Sequence, residues 1–336
     1  MQTQRRNVQF DRFGDGGNRR FHRRLLERIL LSNRWLNKAL SCAAQTVLTA
    51  MIWPRFVAPY RWGLTRYTLP IAGLGKGFDG YRILQLTDLH VGQTRVDYLE
   101  KVVDKTLAEK PDLIVITGDL IDYQRDALKP LKGLLPRIVA GAGRDGVLAI
   151  FGNHDYHEYS WRHIGERSAH RIIHRKLVEI VHGAGIRLLR NDAAAFTRGE
   201  DRLLFVGLDE MWTGRADPTA AFRGISIADA VICLQHNPDG VEFLQNYPWQ
   251  VMLCGHSHGG QALFPGLGAL YVPMKHRQYL QGFFDFPPAP GQPADLKRKM
   301  FVSRGLGHST PIRMFCPPEA TVFTLAGVEH SGTRLE

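Results

Sequence analysis

The sequence predicts an α/β protein, with sheets covered by helices, behind a basic and amphipathic N-terminal segment. Three observations predict it. Apolar runs of strand length alternate with helical patterns from Phe78 onward. Each central run ends in a cluster of Asp, Asn or His. Positive charge is concentrated ahead of the first of those runs. At ~150 residues per domain, 336 residues allow one large domain or two small ones. The patterns divide the chain into an arm, residues 1–66, and a domain, residues 78–328.

The arm carries most of the net charge of +11. Residues 1–66 hold 13 Lys/Arg and 3 Asp/Glu, whereas the rest holds 30 against 29. Residues 1–18 are polar, with Gly14, Gly16 and Gly17, and read as disordered. From Arg19, Phe21, Leu25, Leu26, Ile29 and Leu30 share one side of a helical wheel. Arg20, Arg23, Arg24, Glu27 and Arg28 share the other, which makes a basic amphipathic helix. Ala39–Trp53 is mostly apolar and is ended by Pro54-Arg55. Fifteen helical residues reach only ~22 Å, short of the ~30 Å of hydrocarbon in a bilayer. The expectation is therefore a helix lying in the membrane interface, peripheral on the cytoplasmic membrane and on its cytoplasmic side. Binding to nucleic acid, an export signal led by Arg19-Arg20, and a helix packed on the domain are the alternatives. Cys42, Cys233, Cys254 and Cys316 form no Cys-x-x-Cys pair. They read as buried apolar thiols that suit a reducing compartment, with one bridge left open.

In the domain, Tyr81–Thr87, Leu113–Thr117 and Val147–Phe151 read as buried strands. Val96–Lys110 repeats Tyr98, Leu99, Val102, Val103 and Leu107 at helical spacing, and Pro111 stops it. Ala127–Ala140 is a weaker helix, and Trp161–His182 a longer one closed by Gly183 and Gly185. Strands follow at Leu203–Leu208, Val231–Gln235 and Val251–Cys254, with shorter ones near Gln261–Phe264, Met300–Ser303 and Thr321–Leu325. Phe283–Lys297 is rich in Pro and reads as a surface loop.

The first strand runs into Asp88-Leu89-His90, the second into Gly118-Asp119 and the third into Gly152-Asn153-His154-Asp155. Val231–Gln235 runs into His236-Asn237-Pro238, and Val251–Cys254 into Gly255-His256-Ser257-His258-Gly259-Gly260. Carboxyl ends of strands are where open α/β sheets place their sites. Oxygen donors mixed with imidazole suit Mn, Fe or Zn better than Ca or Mg. Without thiolates, a structural zinc site is excluded as the main reading. Two ligands two residues apart, as in Asp88-x-His90 and His256-x-His258, share a side of an extended segment. His157, His163, His170, His174 and His182 lie in or near the third helix and read as solvated helix residues.

These five blocks, in this order, resemble those of the calcineurin-like metallophosphoesterases. LQLTDLHVG, VITGDLID, FGNHDYH, LQHNPD, CGHSHGGQ and SRGLGHSTPIR resemble a bacterial, membrane-associated phosphodiesterase-like subgroup. The resemblance covers Phe78 to Leu325. It implies a four-layer α/β/β/α sandwich and two divalent metal ions, manganese first, with iron or zinc as alternatives. It implies that Asp88, His90 and His258 hold one metal, that Asn153, His236 and His256 hold the other, and that Asp119 bridges them. A metal-bridging hydroxide would attack phosphorus, His154 would stand beside the leaving oxygen, and Asp155 would orient His154. His308 stands where a small residue is commoner and becomes a candidate substrate contact. The implied activity is that of a phosphodiesterase or pyrophosphatase working near a membrane. One relative of this kind cleaves UDP-2,3-diacylglucosamine in lipid A synthesis, which makes a lipid-linked phosphoester a specific alternative. A nuclease is disfavoured because the near-neutral domain offers no basic groove. A non-enzymatic metal-binding scaffold is disfavoured by the complete ligand set.

Overall fold

The computed structural model describes residues 34–122, 125–156, 167–269 and 272–328. The chain divides into two compact units, Met1–Trp53 and Pro54–Glu336. In the first, Arg34–Val47 is helical. Its exposed face includes Leu40 and Val47, and Leu48, Ile52 and Trp53 beyond it are also exposed. The expected helix from Arg19 to Leu30 lies outside the described residues. Among those described, no helix is long and apolar enough to cross a membrane.

The second unit is built on two six-stranded sheets. In the first sheet are β1 (Gly63–Ala72), β2 (Arg82–Leu86), β3 (Leu113–Thr117), β4 (Val147–Ile150) and β5 (Arg187–Leu188). In the second are β6 (Asp192–Arg198), β7 (Asp201–Gly207), β8 (Ala230–Leu234) and β9 (Val251–Cys254). A small hairpin, β10 (Leu263–Phe264) and β11 (Gly268–Ala269), stands apart. β12 (Gly282–Phe286) and β13 (Arg298–Val302) join the second sheet, and β14 (Glu319–Val328) returns to the first. The orders are β1-β14-β2-β3-β4-β5 and β12-β13-β9-β8-β7-β6. β2 to β5 run parallel, as do β13, β9, β8 and β7, so their carboxyl ends point the same way within each sheet.

The apolar runs are uniformly apolar because both faces of each sheet are covered. Ile83, Leu113, Val115 and Ile150 meet Phe205, Ile232, Leu253 and Phe301 between the sheets. Leu84, Ile114 and Ile116 point the other way, under Val102, Val103, Leu131, Leu135 and Leu177. Those five come from the helices Val96–Leu107, Leu128–Ala140 and Arg167–Gly183. Val206, Val231, Met252 and Met300 pack under Phe222, Leu244 and Trp249 on the far side. The result is the four-layer α/β/β/α sandwich.

Two segments differ from the sequence expectation. Gly63–Ala72 carries no strand-length apolar run, yet it forms β1, paired in parallel with β14 along ten residues. Gly63–Arg66, the last residues of the expected arm, therefore belong to the sheet. Phe283–Phe286, read as the start of a surface loop, lies in β12, which pairs antiparallel with β13. Its Phe283 and Phe284 pack against the cores beside it. The third helix is described only from Arg167; its expected start at Trp161, with His157 and His163, lies outside the described residues.

Candidate metal centre

Five loops at the carboxyl ends of β2, β3, β4, β8 and β9 deliver the seven donors to one place. Ligand atoms of Asp88, His90, Asp119 and His258 lie within 4.8 Å of one another, as do those of Asp119, His236 and His256. Asp119 belongs to both groups, and one oxygen serves both. Its Oδ2 stands 3.5 Å from His90 Nε2 and 3.2 Å from His236 Nε2. Its Oδ1 accepts from the His154 amide at 2.9 Å. Asp88 Oδ1 stands 3.4 Å from His258 Nε2, and His90 Nε2 faces His258 Nε2 at 3.0 Å. On the other side, Asn153 Oδ1 faces His256 Nδ1 at 2.7 Å.

The backbone reaches this convergence by strain. Asp88, His90, Asp119, His256 and His258 all have φ between 43° and 69°. Non-glycine residues rarely occupy this left-handed region, and such strain concentrates at functional sites. Asp88 and His90 thus converge through two left-handed residues and not through the pleat of an extended segment, as do His256 and His258. Gly118 is required beside them. Its φ is 98°, and a Cβ there would lie 2.4 Å from His236 Nδ1. A Cβ on Gly255 would lie 2.3 Å from Asp88 Oδ2.

The donor set fits divalent cations on its own chemistry. His236 commits Nδ1 to the Thr117 carbonyl at 2.7 Å. Its other nitrogen, in the neutral ring, then sets a lone pair against Asp119 Oδ2, a clash that a proton or a cation relieves. His256 faces oxygen from both nitrogens, with Pro273 O 3.3 Å from Nε2. A neutral ring has one proton for two acceptors, so a cation between Nδ1 and Asn153 Oδ1 completes the set. Burial pushes His90 and His256 down to about 3 and His258 well below its usual range, which keeps them as neutral donors. Burial pushes Asp88 up to about 6, although His236 opposes this. For His236, burial works against the charge but Asp119 outweighs it, raising the ring to about 10. Without a metal, Asp119 finds its counter-charge there.

The catalytic pair expected from the sequence is rearranged. His154 Nδ1 pairs with Asp122 Oδ1 at 3.1 Å, not with Asp155. Burial opposes a charged His154, yet Asp119 and the bond to Asp122 leave its pKa raised. Asp155 instead accepts from the amides of Leu120, Ile121 and Gly152 and ties the β3 and β4 loops together. The reason is local geometry. Asn153–Tyr156 is a single helical turn, so consecutive side chains leave about 100° apart. His308 is also corrected. It is 0 % exposed, its amide donates to Thr94 Oγ1, and its ring lies edge-on to Tyr60. Burial and Arg313 lower its pKa to about 4. Its neighbours Ser309, Thr310 and Ile312 line the cleft instead. Of the helix histidines, His170 is buried and His174 stacks on Tyr156 at 4.1 Å.

The cleft over the donors has a volume of about 410 Å³. Asp119, Asn153, His154, His256 and His258 form its floor. Trp212, Phe264, Pro273 and Ile312 form an apolar wall, and Trp212 meets His256 edge-on at 4.6 Å. Sequence reasoning missed Trp212 and Asp122. Asp122 is visible in retrospect as the second carboxylate of Gly-Asp-Leu-Ile-Asp, whereas Trp212 sits in a loop with no motif.

Known proteins resemble the chain along most of its length. The chain is 28% identical over 290 residues to a metallophosphoesterase of Bacillus subtilis, YkuE, covering 85% of this chain and 93% of that one. It is 30% identical over 254 residues to phosphodiesterase YaeI of Escherichia coli, covering 73% and 82%. It is 29% identical over 321 residues to the UDP-2,3-diacylglucosamine pyrophosphatase LpxG of Chlamydia muridarum, covering 83% and 93%. Residues 81–260 match the sequence model of the calcineurin-like phosphoesterases, so the chain belongs to that family of metal-dependent hydrolases of phosphoesters.

Proposed function

We propose that the chain is a dinuclear phosphodiesterase or pyrophosphatase that acts at a membrane surface on a phosphoester with an apolar portion. The observation that carries the two-metal reading is Asp119 Oδ2, which faces His90 and His236 from one atom. Asp88, His90 and His258 would hold one metal and Asn153, His236 and His256 the other, with Asp119 shared. Two bound divalent ions, manganese in our reading, supply Lewis acidity and a water acidic enough to attack phosphorus near neutral pH.

The chain's own residues do the rest. His154 sits at the cleft floor with its Nδ1 held by Asp122, and its imidazole would donate a proton to a leaving oxygen. Asp155 fixes the loop that carries His154. Burial of Asp88, His90 and Asp119 keeps bulk water from the donors. The apolar wall supports an apolar portion in the substrate, and Ser309 and Thr310 add hydroxyls to the lining of the same cleft.

The name of LpxG motivates a specific form of this reading, a nucleotide–lipid pyrophosphate as substrate. The basic arm and the exposed apolar residues between Leu40 and Trp53 support a place at the cytoplasmic face of the membrane. A panel assay with Mn²⁺ tests the proposal. A nitrophenyl diester and a nucleotide–lipid pyrophosphate should turn over much faster than a nitrophenyl monoester. Preference for the monoester would contradict it.

A further inference from the structure

Loop 272–281 is not part of the donor set, yet it reaches a donor. Pro273 O stands 3.3 Å from His256 Nε2 and is the acceptor that turns His256 Nδ1 toward Asn153 Oδ1. Pro273 also forms part of the cleft wall. The loop is held by the β8 side of the site. The amides of Lys275 and His276 donate to Asp239 Oδ2 and Oδ1 at 2.7 and 2.9 Å. Asp239 is buried, and its own amide is fixed by Asn237 Oδ1 at 2.9 Å. Glu242 adds contacts to the Lys275 Nζ and the His276 ring. Ser257 Oγ donates to Leu280 O at the far end of the loop.

We propose that Asp239 is a positioning residue for the metal held by His256, acting through the Pro273–His276 segment. This rests on the two-metal reading of the site. Both carboxylate oxygens are engaged by backbone amides two and three residues beyond the Pro273 carbonyl. The carboxylate therefore sets where that carbonyl lies, and the carbonyl sets which imidazole nitrogen is free for a metal. The aspartate of His-Asn-Pro-Asp is thereby tied to His256, 17 residues later in sequence. The other donor set, Asp88, His90 and His258, meets His256 through its backbone amide, which donates to Asp88 Oδ1 at 3.0 Å, whereas the Pro273 carbonyl acts on the His256 ring.

The chemistry of each oxygen makes the claim testable. In Asp239→Asn the shape is kept, but the amide nitrogen cannot accept from a backbone N–H. Partners that orient a metal-binding histidine typically affect metal affinity by about 10–100-fold. Mn²⁺ would be titrated into chelator-stripped full-length wild type, Asp239→Asn and Pro273→Gly, read by calorimetry and by the electron-spin signal of coupled manganese. Wild type should bind two ions. Asp239→Asn should keep one site unchanged and weaken the other about 10–100-fold, with the coupled signal lost at low Mn²⁺ and regained at high Mn²⁺. Pro273→Gly, which loosens the carbonyl and leaves Asp239 intact, should give the same selective loss. It decides the matter if Asp239→Asn does not fold. Two sites of wild-type affinity, or equal weakening of both sites, would overturn the proposal. Failure of wild type to bind a second ion would instead overturn the two-metal reading beneath it.

Discussion

His154 and Asp119 separate two kinds of work at the residue scale. Asp119 shares one oxygen between two donor groups, whereas His154 touches neither group as a ligand in our assignment. His154→Ala should therefore keep both metals and lose turnover of a nitrophenyl diester by about 10²–10⁴-fold, the range for a positioned proton donor. Metal analysis alongside steady-state rates checks both halves. Asp122→Asn should give a smaller loss of the same kind, because an amide still accepts one bond from the ring. Wild-type rates in Asp122→Asn would contradict an orienting role for Asp122. The donors themselves were legible in the sequence, because each follows an apolar run and carries its chemistry in its residue type. Their partners were not. Asp155 is the sequence neighbour of His154, but a helical turn aims it at the Leu120 and Ile121 amides. His308 looked exposed to substrate, and packing against Tyr60 buries it.

At the scale of elements, the parallel strands announced themselves because both faces are buried, so their runs are continuous. β1 and β12 did not. β1 lies at a sheet edge with Arg66, Tyr67 and Thr68 exposed, and β12 pairs on one side only. Their pairing is settled by long-range partners, β14 and β13, which no local pattern reveals. The loops at the strand ends were located but not their conformation. Left-handed backbone at Asp88, His90, Asp119, His256 and His258 is imposed by convergence on the centre, at a cost of order 1 kcal/mol or more each. Gly118 admits His236 into that crowd. Gly118→Ala should displace the His236 ring, weaken the metal it holds, and lower stability by about 1–3 kcal/mol in denaturant titration. An alanine variant with unchanged stability and metal content would show that the turn has room to yield.

At the scale of the molecule, the excess positive charge and the metal-ligand residues belong to different stretches of the sequence. The first 66 residues carry nearly all of the net positive charge, while the metal centre lies among buried donors in a domain close to neutral. A truncation that tests the arm should end at Trp53, because one that ends at Arg66 would remove Gly63–Arg66 of β1, which pair with Glu319–Val322 of β14. Removing residues 1–53 should reduce activity on a phosphoester presented in anionic vesicles well beyond any loss on a soluble nitrophenyl diester. Equal losses would separate the arm from membrane work. The four-layer architecture was legible once the motifs were read together, whereas the extent of the arm was not, since the boundary depends on β1 joining a strand from the end of the chain.

The central claim is that Asp119 joins two metal sites into one hydrolytic centre. Metal content and diesterase rate, measured together for wild type and Asp119→Ala loaded with Mn²⁺, test it most directly. The account predicts two ions per wild-type chain, fewer in the variant, and activity lost with them. Wild-type hydrolysis by Asp119→Ala, or full activity after the metals are stripped, would contradict it.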